Sequence, residues 1–489
     1  MPPLSRIAAI VLCGCALGGC TVGPDFHAPA APDTQRYTRG SPPASTVAAS
    51  GAAGGAQSFE TVDQAPRTWW TQFRSDALDQ LVNDALQHSP TLEQARARLT
   101  EAQENYRAQA GATLFPTVDA KLSDTRQKID LAEFGITNVP TPGPFTLYNA
   151  SVSVSYVLDV FGGNRRALEA TMAQVDYQAF ELEAARLTLA GNVVSTAIRR
   201  ASVQRQIALT TQLADAQAQQ LVIVERRYAA GGMSELDVRS QRTLLAQTRA
   251  TLPPLATQLA QADHQLAILT GVAPANAQFG DIALDALQLP DTVPLTLPST
   301  LARERPDIRA SEALLHQASA NVGVATANLY PQFSISAGIG SERTRVEDVL
   351  NGLNIWNIGF NLTQPIFHGG ELHAKQRAAA AAYDAARADY RQTVLQALQQ
   401  VADTLRALEN DAHELQARDE SAREAQASVT IVQSQYAAGG VSQFALIDAQ
   451  RQALQTALDR TRTQADRLAD TAALFQALGG MPLPAGGQP

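Results

Sequence analysis

Lysine is almost missing from this chain. Three occur in 489 residues (Lys121, Lys128 and Lys375), so arginine carries the positive charge, and 38 basic against 47 acidic side chains leave a formal net charge of −9. An acidic balance argues against a nucleic-acid partner. Cysteine is equally sparse: Cys13, Cys15 and Cys20 all lie near the N-terminus, so the chain beyond them can form no internal disulfide. Charged residues make up 17%, below the roughly 25% usual in soluble domains. Methionine occurs four times, scattered, without the clusters that metal extrusion would favour. No run of about 20 apolar residues follows the N-terminus, which excludes a membrane-spanning helix. G-x-S-x-G, P-loop, dinucleotide fingerprint and paired catalytic Cys and His are all absent, so no enzyme is read here. His368-Gly-Gly-Glu371-Leu-His373 lacks the i, i+4 histidine spacing of a zinc protease, and no metal or cofactor is expected from it.

What is present starts at the N-terminus. Arg6 precedes an apolar stretch, Ile7 to Leu17, followed by Gly18-Gly19-Cys20. A short basic start, a short apolar core and small residues before a cut describe an export signal, residues 1–19. The Leu-Gly-Gly-Cys ending resembles a bacterial lipobox, which implies acylation of Cys20. Cys15 competes, but its apolar core would be too short. Thr21 after the cysteine, rather than Asp, fits sorting to the outer membrane. Ala28 to Gly55 is rich in Ala, Pro, Ser and Gly, a composition that reads as an extended tether within a lipidated segment, residues 20–65.

The remainder is one unit written twice. Tyr228-Ala-Ala-Gly231-Gly232-Met-Ser234 returns as Tyr436-Ala-Ala-Gly439-Gly440-Val-Ser442, and such a repeat decides the architecture. We read a first repeat over residues 66–270, a connector over 271–298, a second repeat over 299–480 and a tail over 481–489. Each repeat opens with helices: Leu78, Leu81, Val82, Ala85 and Leu86 form one apolar stripe, and Ser89-Pro90 starts a second helix. The period then falls from 3.6 to 2. Val118, Ala120 and Leu122 alternate with polar residues, as do Ala150 to Tyr156, Phe333 to Ile339 and Trp356 to Leu362. The alternation predicts strands near 117–125, 146–160, 332–342 and 354–366, long enough to cross a membrane when tilted. Long Pro-free runs follow, Asn164 to Ala230 and Glu371 to Ala438. Each could reach roughly 100 Å as a helix, and helices of that length need partners. Gly231-Gly232 and Gly439-Gly440 stop them as C-caps, and Ser234 and Ser442 cap the returning helices, with Asp237 completing a capping box in the first copy alone. Pro253-Pro254 breaks the first returning helix.

Four strands cannot close a barrel, and an open edge in lipid leaves unpaired backbone groups costing several kcal/mol each. The chain must therefore oligomerise, unless the strands lie outside a membrane. Three copies give twelve strands, and their polar face of Ser, Asn, Gly and Thr suits a water-filled lumen. Tyr156, Tyr330, Phe333, Trp356 and Phe360 are candidates for an aromatic interface belt.

This layout resembles the outer-membrane efflux protein family, the TolC-like channels, in the lipoprotein branch that serves tripartite resistance-nodulation-division pumps. The resemblance rests on Cys20-Thr21-Val22-Gly23-Pro24-Asp25, Trp69-Trp70 with Phe73, Ser89-Pro90, Leu158-Asp159-Val160-Phe161-Gly162, Tyr228 with Gly231, Pro365-Ile366-Phe367 and Leu446-Ile447-Asp448-Ala449-Gln450-Arg451. It implies a mixed α and β membrane protein: a homotrimer with a 12-stranded β-barrel continued by a long periplasmic α-helical barrel. It also implies docking to a periplasmic adaptor and an inner-membrane, proton-driven pump that supplies the energy. Same-fold channels for type I protein secretion or metal extrusion remain alternatives, as does a non-pore periplasmic coiled-coil lipoprotein. The tips Gly231, Gly232, Ser234, Gly439, Gly440 and Ser442 are the docking candidates, although glycine and serine would also serve as plain helix punctuation. The gate candidates are Phe444, Asp448 and Arg451, which sit at i, i+4, i+7 on one helix face, with Leu236 and Ser240 at the matching positions of the first copy. Three Asp448 carboxylates near a threefold axis would repel unless hydrated or bound to a cation. A solvated Asp448–Arg451 pair is the competing reading.

Overall fold

The computed structural model describes residues 21–40, 44–51, 53–62, 66–130, 135, 138, 140 and 142–479. Cys20, the signal peptide and the 481–489 tail lie outside the described residues. In chain order the elements are β1 (Ser58–Thr61), a 3-10 turn (Trp69–Phe73), α1 (Asp76–His88), α2 (Pro90–Leu114), β2 (Thr117–Gln127), β3 (Phe145–Leu158), α3 (Gly163–Ala229), α4 (Glu235–Ala250), α5 (Leu252–Leu269), β4 (Thr292–Leu295), α6 (Pro298–Glu304), α7 (Pro306–Ala327), β5 (Gln332–Arg343), β6 (Ile355–Thr363), α8 (Glu371–Ala437) and α9 (Gln443–Ala477). Two compact units form, and the division cuts across the repeat. One takes the chain to Pro29, Leu99–Gln178 and Ser311–Tyr390; the other takes Ala30–Arg98, Ala179–Ala310 and Arg391–Pro489. Each unit thus draws on both repeats. The strand pairs give the reason for the first unit: β3 of one repeat is hydrogen-bonded to β5 of the other, which satisfies backbone groups that either hairpin would leave open.

The first unit is built on a four-stranded antiparallel sheet in the order β2-β3-β5-β6. Its register sorts the side chains. Val118 pairs with Val154, Val154 with Ala337 and Ala337 with Ile358; Ala120, Val152, Ile339 and Trp356 form the next row. Between them, Asp119, Ser153, Gly338 and Asn357 form a row on the opposite face. One face is therefore apolar and exposed in the single chain, Leu122 by 77% and Ile358 by 75%, while the other carries small polar residues. The strand ends differ from expectation for identifiable reasons. β3 stops at Leu158 because Asp159 turns to cap α3, accepting from the Asn164 and Arg165 amides at 3.0 and 2.8 Å. β6 stops at Thr363, since Pro365 has no N–H for a ladder; the Gln364 side-chain Nε2 donates to the Leu329 carbonyl at 3.2 Å.

The second unit has a conventional core. Trp69 is fully buried, stacked on Phe475 at 5.7 Å and edge-on to Trp70 and Phe73. Leu78, Leu81, Val82 and Ala85 are buried, as the stripe predicted. The expected tether is a correction. Ser58–Thr61 pairs in parallel with Thr292–Leu295 of the connector, and the stretch before it folds back on itself, with Thr46 N–H donating to the Gln57 carbonyl and Ala49 N–H to Gly54. Its carbonyls find a donor that composition could not reveal. The wholly buried Arg467 of α9 donates to the oxygens of Ala53 and Gly55 at 3.0 and 2.8 Å and to Thr46 Oγ1 at 3.0 Å. Small residues let the strand lie close to that guanidinium.

The same unit holds an acidic cluster. Burial, contact with Asp470, and the charges of Asp470, Asp466 and Glu414 push the Asp411 carboxyl up to about 8. Its folded value lies above the unfolded one, so the native state holds an extra proton between about pH 4 and 8, and stability falls as pH rises through that window. The Asp411→Asn variant is expected to flatten this slope, gaining on the order of 1–2 kcal/mol at pH 8 once solvent screening of the half-exposed cluster is allowed for. Thermal unfolding at pH 5 and pH 8, followed by tryptophan fluorescence, measures it.

Candidate functional site

Both hairpin tips belong to the second unit. Gly231 and Gly439 adopt φ of +78° and +76°, the left-handed C-cap that glycine enters without Cβ strain. Around them the Gly232 amide donates to the Arg227 carbonyl and the Gly440 amide to Gln435, each at 2.8 Å. Ser234 then opens α4 with a reciprocal capping box to Asp237, while Ser442 opens α9 with a single bond from the Ala445 amide at 3.3 Å. The first copy alone carries the box, because Ala445 stands where Asp237 does. Gly231, Gly232, Ser234, Gly439, Gly440 and Ser442 are all exposed.

The gate candidates divide by helix. In the first turns of α9 Gln443, Leu446 and Gln450 are buried, and Phe444, Asp448 and Arg451 occupy a different, exposed face; Phe444 is 75% exposed. Asp448 Oδ1 accepts from Arg451 at 3.2 Å, so two of the three are in contact within one chain. Leu236 and Ser240 lie on α4, also exposed, Leu236 by 72%.

Sequence reading missed what joins the tips. Gln443 Nε2 donates to Gln241 Oε1 at 2.7 Å, and Gln241 Nε2 to the Gln217 carbonyl at 3.2 Å, so a buried amide chain links α9 through α4 to α3. Beside it the Tyr436 hydroxyl donates to Met233 Sδ at 3.7 Å, and the Arg227 guanidinium lies over the Tyr436 ring at 5.6 Å. Gln443 Oε1 and both side-chain amide atoms of Gln217 have no protein partner, so the polar contact is incompletely satisfied, an arrangement less favourable than a full network. Gln is abundant throughout the helices and these three share no short-range pattern; Tyr436 was visible as part of the repeat, but its partners were not.

Beyond the N-terminus, no described helix is long and apolar enough to cross a membrane.

Comparison with known proteins matches these features. A family model described as outer membrane efflux protein covers residues 81–272 and 297–480. The pyoverdine export outer membrane protein OpmQ of Pseudomonas aeruginosa is 30% identical over 482 residues, spanning 98% of this chain and 97% of its own. The toluene efflux pump outer membrane protein TtgI of Pseudomonas putida is 30% identical over 473 residues, with 95% and 96% covered. Among solved structures, the outer-membrane channel OprN aligns with a TM-score of 0.82 at 27% identity, covering 94% of this chain and 99% of that one. The Campylobacter jejuni CmeC outer membrane channel shares the fold, with a TM-score of 0.83 at 21% identity and 95% of each chain covered. These relatives are channel and transport proteins, which favours a channel over the non-pore lipoprotein alternative.

Proposed function

The chain belongs to the outer membrane efflux protein family, and from that premise we propose that three copies of this efflux channel close one barrel and one gated tunnel. The observation that carries the reading is the sheet of the first unit. It has an exposed apolar face for lipid, a small polar face for water and an unpaired strand at each edge, β2 and β6. Because the four strands alternate in direction, β6 of one copy meets β2 of the next antiparallel, and three copies give an even, all-antiparallel twelve. Closure leaves no edge in lipid.

The chain supplies no chemistry of its own, so the work is done by an inner-membrane pump, proton-driven as in the resembling family, with a periplasmic adaptor meeting the hairpin tips. Cargo is a small compound rather than a protein: the named relatives export pyoverdine and toluene. Cys20 carries the lipid that adds an outer-membrane anchor. At the tunnel's inner end, Phe444 and Asp448 of the three copies face the axis, with Leu236 and Ser240 forming an uncharged ring. Their exposure in the single chain supports this, since a face used by neither hairpin is free to point inward.

Removing the Asp448 charges relieves hydration and counter-ion trapping at the constriction. The Asp448→Ala channel is expected to show about twofold or higher single-channel conductance in planar bilayers, because the constriction then lacks the carboxylates that attract and hold a counter-cation. Conductance equal to the parent's removes Asp448 from the gate; an absence of any conducting step from the parent protein removes the channel assembly itself.

A further inference from the structure

The residues directly after the lipid attachment point are held by an unusual number of contacts, none of them used by the tunnel or the tips. Val22 N–H donates to the Phe161 carbonyl at 3.1 Å. A Cβ on Gly162 would come within 2.4 Å of Thr21 Cγ2, and a Cβ on Gly23, whose φ is +95°, would come equally near Gly323 Cα of α7, so both close approaches require glycine. Asp25 Oδ1 accepts from Arg166 of α3 at 2.6 Å; the same guanidinium donates to Glu169 at 2.8 Å; and the other oxygen of Glu169 meets His316 Nε2 of α7, again at 2.8 Å. Phe26 closes the chain of contacts by stacking on His316, centroids 4.4 Å apart and 14° from parallel. The Arg166 side chain is 7% exposed and Glu169 27%, while the Asp25 carboxylate, at 78%, reaches the buried guanidinium from the surface. All of it lies in the first unit.

Such a clasp fixes where residue 21 leaves the protein: beside Phe161. Phe161 begins an aromatic series along the inner ends of the strands, stacked on Tyr330 at 4.8 Å and adjacent to Phe333 at 6.5 Å, which in turn lies 6.0 Å from Phe360. Phe333 and Phe360 sit in the register rows of the apolar face, and Tyr330 and Phe360 are exposed. One Cα–Cα step of about 3.8 Å separates Thr21 from the acylated residue. We propose that residues 21–26 form a clasp that lays the acyl chains of Cys20 along this aromatic series, making the lipid a bound component of the barrel's inner rim rather than a free anchor. The proposal rests on the lipoprotein reading of Cys20. Alkyl chains suit the site chemically: they cover exposed ring faces with apolar area and need no polar partner. The ion relay then positions the lipid, and its residues touch only the peptide.

The test uses the full-length protein in its outer membrane, with a benzophenone amino acid replacing Tyr330 or, separately, Phe360. After irradiation and digestion, mass spectrometry identifies what the benzophenone captured. The acylated N-terminal peptide is the expected product. The Asp25→Asn/Phe26→Ala variant, whose substitutions lie outside both the sheet and the helices, is expected to lose it by about fivefold or more, because the lipid then samples a longer tether at lower effective concentration. Acyl mass on Cys20 and heat-modified trimer mobility stay unchanged in that variant. Capture of bulk phospholipid alone, or equal capture in parent and variant, overturns the clasp. Absence of acyl mass on Cys20 overturns the lipoprotein reading beneath it, and the two failures are read from separate peptides.

Discussion

A channel carrying Gln241→Ala and Tyr436→Ala opens: its mean conductance in planar bilayers rises by about tenfold relative to the parent. The contacts removed tie the second hairpin to the first, Gln241 through Gln443 of α9 and Tyr436 from the end of α8. The Gln443–Gln241 bond of 2.7 Å is buried, and such a bond contributes about 0.5–1.5 kcal/mol. Tyr436 is 9% exposed and carries the Arg227 cation on its ring, adding roughly 1.5–3 kcal/mol of burial and about 0.5–1 kcal/mol of cation–π attraction. A bias of about 1.4 kcal/mol already moves a two-state equilibrium tenfold, and in the proposed trimer three copies share each tunnel. The amide atoms of Gln217 and Gln443 without a protein partner make this packing between the hairpins less favourable than a fully satisfied polar network. An intact trimer with parental conductance contradicts the assignment. Substituting Phe444 on the other face of α9 separates the two roles, because it alters the constriction without touching the tie.

A positive charge placed on β6 has opposite consequences at adjacent positions. Ile358→Arg puts a guanidinium on the apolar face, at a cost of about 2–4 kcal/mol per copy near the bilayer midplane, and the assembled, heat-modifiable trimer is expected to disappear from unboiled gels. Asn357→Arg puts the same group on the polar face, in the row of Asp119, Ser153 and Gly338. That variant assembles, and its reversal potential in a salt gradient moves toward anion selectivity. Equal tolerance of both substitutions would deny that the two faces meet different solvents.

Much of this was legible because two signals are local. Period-2 alternation named the four strands and their faces, since side chains on a strand point alternately to either side. The Gly-Gly-x-Ser tips named the hairpin turns, since only glycine enters the left-handed cap freely. The strand ends were misjudged where a side chain took over from the ladder, as Asp159 does in capping α3. The N-terminal segment was misread because low hydrophobicity excludes a core, yet it does not exclude docking on a host that offers a buried donor such as Arg467. The amide chain Gln217–Gln241–Gln443 spans three helices far apart in sequence, and no periodicity distinguishes those glutamines from the many others. The interleaving of the repeats in the first unit follows from strand pairing between β3 and β5, which is a property of the sheet and not of either repeat alone.

Closure of the sheet by neighbouring copies is the claim on which the rest depends. Lys121→Cys on β2 combined in turn with Ile355→Cys, Asn357→Cys, Gly359→Cys or Asn361→Cys on β6 scans the register of that junction on one face. Oxidation of each double variant in its native membrane, followed by denaturing gel electrophoresis, reads the outcome. The account predicts a ladder of monomer, dimer and trimer that ends at the trimer, strongest at one register and weak at the others. A ladder that stops at dimer, continues past trimer, or shows no pairing at any of the four registers would contradict it.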